Sequence, residues 1–322
     1  MIKYTNNANL HPLLAAILTY NDYDSTDDPN IISATSIMKP TQMVALERAN
    51  YDADKIIDVE GLIPSVMGSA MHALLEKGLE SVSDEVWKDL GVDPNELEIL
   101  QENRVIKQVP GTTYKLSGKY DVLYRYKGSA WRLADLKTQS VWGVMLSGKE
   151  KEQEYIKQLS IYRWLNQDKE IDDIAEIFYW FTDWSKQKAR SDSQYPQSRL
   201  GSKEIFLWSI EETEKYIKSR IMEIDRAIKN YKETGDTKFR CSREELWQTD
   251  DVYKYYKLNK SGKVSYARAY KVCNTLQEAQ DLMMRFGGGD IKFFPGEIKR
   301  CNYCSVTDFC PQYKEYKEQG LI

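Results

Sequence analysis

One short stretch limits the architecture more than any other: residues 174–184, IAEIFYWFTDW. Seven of its first eight side chains are apolar. A run so short and so apolar reads as a central strand, buried on both faces, rather than as a surface helix. Upstream, IPSVMGSAMHALLEKGLE has Met67, Ala70, Met71, Leu74, Leu75 and Leu79 at helical spacing, with His72 beside that stripe. From about Glu96 the period changes to alternation. Residues 97–108, 113–126 and 130–136 read as three strands joined by Gly-containing turns. A helix is expected over 150–167, with Tyr155, Ile156, Leu159, Tyr162 and Leu165 on one side. Residues 185–204 read as a polar loop, and residues 210–232 as a long charged helix burying Ile221, Ile224 and Ile228. Helix, three strands, helix, strand is the order of an α/β fold with a mixed central sheet flanked by helices.

The chain has 322 residues and is 42% hydrophobic, enough for one large domain or two smaller ones. The expected division is a core over 1–240, with N-terminal helices, followed by a separate segment over 241–322. No window approaches the roughly 18 apolar residues of a membrane span. The N-terminal stretch also lacks the basic and small-residue pattern of a signal peptide, so a soluble cytoplasmic protein is expected.

The segment SGKYDVLYRYKGSAWRLADLKT, residues 117–138, carries the sharpest chemical signal. Side chains alternate along a strand, so Asp135 and Lys137 share a face and Leu136 takes the other. If residues 118–126 pair antiparallel with 130–137, Asp121 lies at the same end as Asp135. Two carboxylates so placed can share a hard cation such as Mg²⁺, with Lys137 near enough to orient water and to stabilise charge on a phosphate. Glu102 in the preceding strand is a candidate third carboxylate.

The cysteines form a second pattern. Cys301, Cys304 and Cys310 crowd into ten residues, while Cys241 and Cys273 stand apart. Cys-x2-Cys is ligand spacing, and three thiolates need a fourth, for which Cys241 in its polar surroundings is preferred over Cys273. Zinc and a [4Fe–4S] cluster both satisfy the count. With only two histidines in the chain, a histidine-rich metal site is excluded.

The order Gly68-x3-His72, Gly118-x2-Asp121, Asp135-Leu-Lys137-Thr138 and Gln158-x3-Tyr162 resembles the RecB-like branch of the PD-(D/E)XK nuclease superfamily. That branch includes the CRISPR-associated exonucleases with an iron–sulfur cluster and the nuclease domains of helicase–nuclease complexes. The resemblance spans roughly residues 33–183 and implies a restriction-endonuclease-like core. By it, Asp121, Asp135 and His72 bind Mg²⁺ or Mn²⁺, Lys137 is the catalytic lysine, and Gln158 and Tyr162 border the site and contact DNA. Two departures stand out. Tyr120 occupies the place of the family's eponymous proline, and no cysteine precedes Cys241, whereas iron–sulfur members commonly place their first cysteine before the core.

The net charge of −4 excludes a protein whose whole surface attracts nucleic acid, but it leaves room for a local basic track. Residues 253–271 supply one: Lys254, Lys257, Lys260, Lys263, Arg268 and Lys271, interleaved with tyrosines and free of acidic residues. Lysines for phosphates and rings for bases suit a single-stranded or frayed DNA end. The expected function is a metal-dependent DNA exonuclease in recombination, repair or processing, of phage or cellular origin. A non-catalytic DNA-binding or assembly protein retaining the nuclease fold is the alternative. No G-x4-G-K-[S/T] pattern occurs, so any unwinding must come from a helicase or recombination protein partner.

Overall fold

The structure is a computed structural model that describes residues 2–20, 28–101 and 103–322; the side chains of residues 146–150 lie outside the description. In chain order the elements are β1 (Ile2–Thr5), α1 (Pro12–Leu18), β2 (Ile31–Ser33), α2 (Thr41–Ala49), β3 (Lys55–Asp58), α3 (Ile63–Ser81), α4 (Asp84–Asp89), β4 (Leu97–Gln101), β5 (Arg104–Gln108), β6 (Lys115–Lys119), β7 (Val122–Tyr126) and β8 (Arg132–Gln139). They continue with α5 (Val141–Leu165), β9 (Ile174–Phe181), α6 (Lys186–Ser191), β10 (Leu200–Phe206), α7 (Ile210–Thr234), β11 (Val252–Tyr256), β12 (Lys271–Cys273), α8 (Leu276–Arg285), β13 (Asp290–Phe294) and α9 (Pro311–Glu318). Two compact units result. One comprises Met1–Lys39 and Asn50–Asp225, the other Pro40–Ala49 and Arg226–Ile322.

In the first unit the central sheet has the order β10-β9-β8-β7-β4. Only the β8–β9 pair is parallel, so the sheet is mixed, as the alternation of strands and helices predicts. The apolar stretch near residue 180 is β9, an interior strand whose Ala175, Ile177, Tyr179 and Phe181 are all buried. A second sheet, β2-β6-β5, lies in the same unit.

The structure departs from the expected elements in five places. The stretch 97–108, expected as one strand, supplies both β4 and β5, which belong to different sheets. The stretch 113–126 breaks at Tyr120–Asp121, and β6 and β7 belong to different sheets. Tyr120, at the break, is buried and anchors the crossing. The helix expected from 150 begins at Val141, because Ser140 caps it by accepting from the Gly143 N–H at 2.9 Å. The polar stretch 185–204 contains α6 and the start of β10, whose LGSKEIF sequence reads as polar because it forms an edge strand with one side in water. Finally, the apolar stripe of α3 is not core: no residue of α3 is fully buried, and Met67 and Leu74 are more than half exposed. In its unit α3 packs mainly on β8 and on the turn over Val59–Leu62.

In the second unit β12-β11-β13 form an antiparallel sheet with α8 packed on one face. A separate apolar cluster joins Leu46 of α2 to Val306 and Cys310. Residues 226–240, expected with the core, fall in this unit, together with α2.

Candidate active site

β8 ends beside α5 and α3, and its alternation sorts its side chains. Leu133 is buried, and Ala134 and Leu136 pack into the core, while Asp135 and Lys137 contact each other, with Lys137 Nζ 2.6 Å from Asp135 Oδ2. Val122 is the register partner of Ala134, which puts Asp121 next to Asp135. The break between β6 and β7 frees the Asp121 side chain from the sheet. It is then held at both oxygens: Oδ2 accepts from the Leu136 N–H at 2.7 Å, and Oδ1 lies 3.2 Å from His72 Nδ1.

The helix α5 completes the arrangement. Gln158 and Tyr162 are one turn apart on it. Lys137 Nζ donates to Gln158 Oε1 at 3.0 Å, and Gln158 Nε2 donates to the Tyr162 hydroxyl at 2.9 Å. Gly118 explains how the helix comes so close to β6. A Cβ there would collide with Leu165 and stand 3.0 Å from the Tyr162 ring. The glycine of the Gly118-x2-Asp121 spacing therefore serves helix packing.

These groups line one cleft of about 520 Å³. The structure brings together His72, Asp121, Asp135, Lys137, Gln158 and Tyr162; Glu102 lies outside the described residues. Sequence reasoning missed other lining side chains, among them Ser33, Glu76, Arg104, Ser117 and Lys119. Glu76 carried a usable signal: it follows His72 by four residues on the same helix, so both face one way.

The electrostatics centre on Asp135, which is only 2% exposed. Burial pushes its carboxyl up to about 6, with the Lys137 ammonium opposing and Asp121 adding to the rise. Asp135 Oδ2 has the Lys137 ammonium at 2.6 Å as its close ionic partner. His72 is held above the ordinary imidazole range, chiefly by its hydrogen bond to Asp121 and against the effect of its own burial. A buried carboxylate, a second carboxylate beside it and an imidazole are a donor set that suits a divalent cation. Among the described residues, no group of three or more His, Cys, Asp or Glu side chains is close enough as it stands to hold a metal ion.

In the second unit Cys241, Cys301, Cys304 and Cys310 line a single small cavity. Gln312 draws Cys241 in: its amide accepts from the Cys241 N–H at 2.8 Å and donates to the Cys241 carbonyl at 3.0 Å. Burial, then Glu245 and the other three thiols, push the Cys241 thiol up to about 12. Two donors point at Cys310 Sγ, the Gln42 side-chain amide at 2.8 Å and the Tyr313 N–H at 3.4 Å. Four sulfurs lining one cavity, two of them spaced Cys-x2-Cys, are the donor type that a thiophilic metal or cluster takes. Cys273 is elsewhere, buried under α8 with Tyr255 and Ala279.

The chain matches the PD-(D/E)XK nuclease superfamily over residues 45–311 and belongs to that family. No curated protein matches it significantly. Among solved structures it is similar to SSO0001, at 18% identity and a TM-score of 0.40, covering 62% of this chain and 78% of that one. An alkaline exonuclease from Laribacter hongkongensis is similar at 14% identity and a TM-score of 0.33, over 63% of this chain and 92% of that one. A phage-related exonuclease from Haemophilus somnus 129PT shares 18% identity at a TM-score of 0.26, over 47% of this chain and 67% of that one. Nucleases of the family use divalent metals. Among the described residues no helix is long and apolar enough to cross a membrane.

Proposed function

We propose that this chain is a divalent-metal-dependent DNA exonuclease that hydrolyses phosphodiester bonds in recombination, repair or end processing. The observation that carries the reading is the convergence of Asp121, Asp135 and Lys137, with Asp135 buried and Lys137 Nζ at 2.6 Å from it. Asp121 and Asp135, with His72, would hold Mg²⁺ or Mn²⁺; when bound, the cation supplies a lowered water pKa and charge stabilisation at the phosphate. Lys137 contributes a positive charge fixed in place by Gln158 and Asp135, suited to orienting water and to stabilising negative charge on the phosphoryl oxygens. The Leu136 N–H holds Asp121 in register with Asp135.

The four cysteines support a structural role in the second unit, a clip made by a [4Fe–4S] cluster with zinc as the alternative. Anaerobically purified protein that is brown identifies the cluster, whereas colourless protein with stoichiometric zinc identifies the ion.

The nuclease reading is tested by incubating purified protein with end-labelled linear DNA and with closed circular DNA, in Mg²⁺, Mn²⁺ or EDTA. Metal-dependent release of terminal nucleotides from linear DNA, lost in Asp135→Asn, is expected. Intact DNA in both metals overturns it and leaves the non-catalytic DNA-binding alternative. Nicking of the circle overturns the exonuclease assignment.

A further inference from the structure

The small sheet of the second unit has two unlike faces. Tyr253 and Tyr255 of β11, Cys273 of β12 and Ile291 of β13 turn toward α8 and pack there. Alternation sends Lys254, Val272, Lys292 and Phe294 to the opposite face. On that face Lys254 and Lys292 are direct register partners on adjacent antiparallel strands. Like charges at such a pair destabilise a sheet unless an anion lies between them. Among the described residues neither ammonium is paired with a carboxylate, and the nearby Asp290 carboxylate accepts from the Tyr266 hydroxyl at 2.7 Å. Each lysine instead lies over a ring: Lys254 Nζ is 4.0 Å from the centre of Phe294, and Lys292 Nζ is 3.6 Å from that of Tyr266. The surrounding stretch 252–294 holds eight Lys and Arg against three Asp and Glu, in a chain whose net charge is −4.

We propose that this face is a platform for single-stranded DNA, with phosphates taken between Lys254 and Lys292 and bases stacked on Phe294 and Tyr266. A small anion or an acidic peptide would satisfy the two charges but bring no stacking partner for the rings, and a blunt duplex exposes base faces only at its two ends. A single strand supplies both partners at once. The inference rests on the reading that the chain acts on DNA, and it names the form of DNA and a surface that holds it. It also revises which aromatic residues matter: Tyr255 and Tyr256, in the basic track, are buried, whereas Phe294 lies outside that track.

The test is fluorescence anisotropy in EDTA with a labelled strand of about 20 nucleotides and a blunt duplex of equal length, longer than the usual site of one such module. For Lys254→Gln/Lys292→Gln, single-strand affinity is expected to fall about tenfold, and the log–log salt slope to shrink by about 1.4, the value for two lost phosphate contacts. Phe294→Leu, which keeps both charges, is expected to weaken single-strand binding at least about fivefold, the low end for one stacked base, while sparing the duplex. Unchanged affinity and slope in the double variant, with unchanged melting temperature, overturn the proposal, as does an equal loss on both DNA forms in Phe294→Leu. Cleavage is scored separately with metal. A wild-type protein that binds but never cuts fails the nuclease reading and leaves the platform standing, while a cutting enzyme whose variants bind normally does the reverse.

Discussion

The Leu136 N–H donates to Asp121 Oδ2 at 2.7 Å, joining the residue after the strand break to the strand that carries Asp135 and Lys137. This bond, together with the His72 contact at the other oxygen, fixes the direction of Asp121 and makes the two carboxylates a pair. It also means that Asp121 is held partly by backbone, so its geometry depends on the β7–β8 register.

Asp135→Asn keeps the shape of the site and removes its buried charge. DNA hydrolysis in Mg²⁺ or Mn²⁺ is expected to fall by about a thousandfold or more, since the cation and its charge stabilisation are worth several kcal/mol. The measurement is the single-turnover rate on end-labelled DNA, and a variant retaining a tenth of the rate would remove Asp135 from the site.

The same substitution has a pH signature in stability. The Asp135 carboxyl lies at about 6 in the folded chain against 3.8 ordinarily, so between those values the folded state binds more protons than the unfolded state. Its contribution to stability therefore falls as pH rises from about 4 to about 6 and is level above that. In EDTA, Asp135→Asn is expected to gain on wild type through this window, to at most about 3 kcal/mol, two pKa units' worth. Urea titrations at several pH values check it, and parallel wild-type and variant curves would sink the idea.

Gln158→Leu removes the acceptor that fixes Lys137 Nζ. Catalytic rate is expected to drop by about 10- to 100-fold, the usual cost of losing an orienting partner, with the metal concentration for half-maximal activity little changed. A shift confined to that metal concentration would reassign Gln158 to cation binding.

Gly118→Ala forces a methyl group against Leu165 and the Tyr162 ring. Overpacking of this kind costs about 1–3 kcal/mol, and thermal melting should show it. An unchanged melting temperature would mean that α5 moves aside freely.

Cys301→Ser is expected to lose the metal or cluster bound by the second unit and to lower its melting temperature, whereas Cys273→Ser keeps the full metal content, because Cys273 packs under α8. Elemental analysis of the purified variants distinguishes the two. Full metal retention in Cys301→Ser would rule out the four-cysteine clip.

Much of the site was legible because it depends on local periodicity. Asp135 and Lys137 share a face by strand alternation, and Gln158 and Tyr162 share one by helical spacing, wherever those elements pack. The break at Tyr120–Asp121 was not legible: the alternation of residues 115–126 runs through it, and only the tertiary pairing of β6 with β5 and β7 with β8 separates the two sheets. The α3 stripe misled for the converse reason, since a helical period reports an apolar side and not whether another element covers it. The fold class followed from the order of elements, while edge strand β10 was hidden by its own polarity.

The helix α2 belongs to a unit most of which lies at the other end of the chain. Its Leu46 is sealed by Val306 and Cys310, and its Gln42 bonds Cys310 across 268 positions of sequence. On a ribosome moving at roughly 5–20 residues per second, α2 would wait on the order of 13–50 s for those partners to be made. Tyr231 of the same cluster is made earlier, but until Val306 and Cys310 follow, Leu46 lacks the side chains that seal it, which makes α2 a natural place for chaperones to hold the nascent chain. Shortening the C-terminus by a few tens of residues should expose Leu46 permanently.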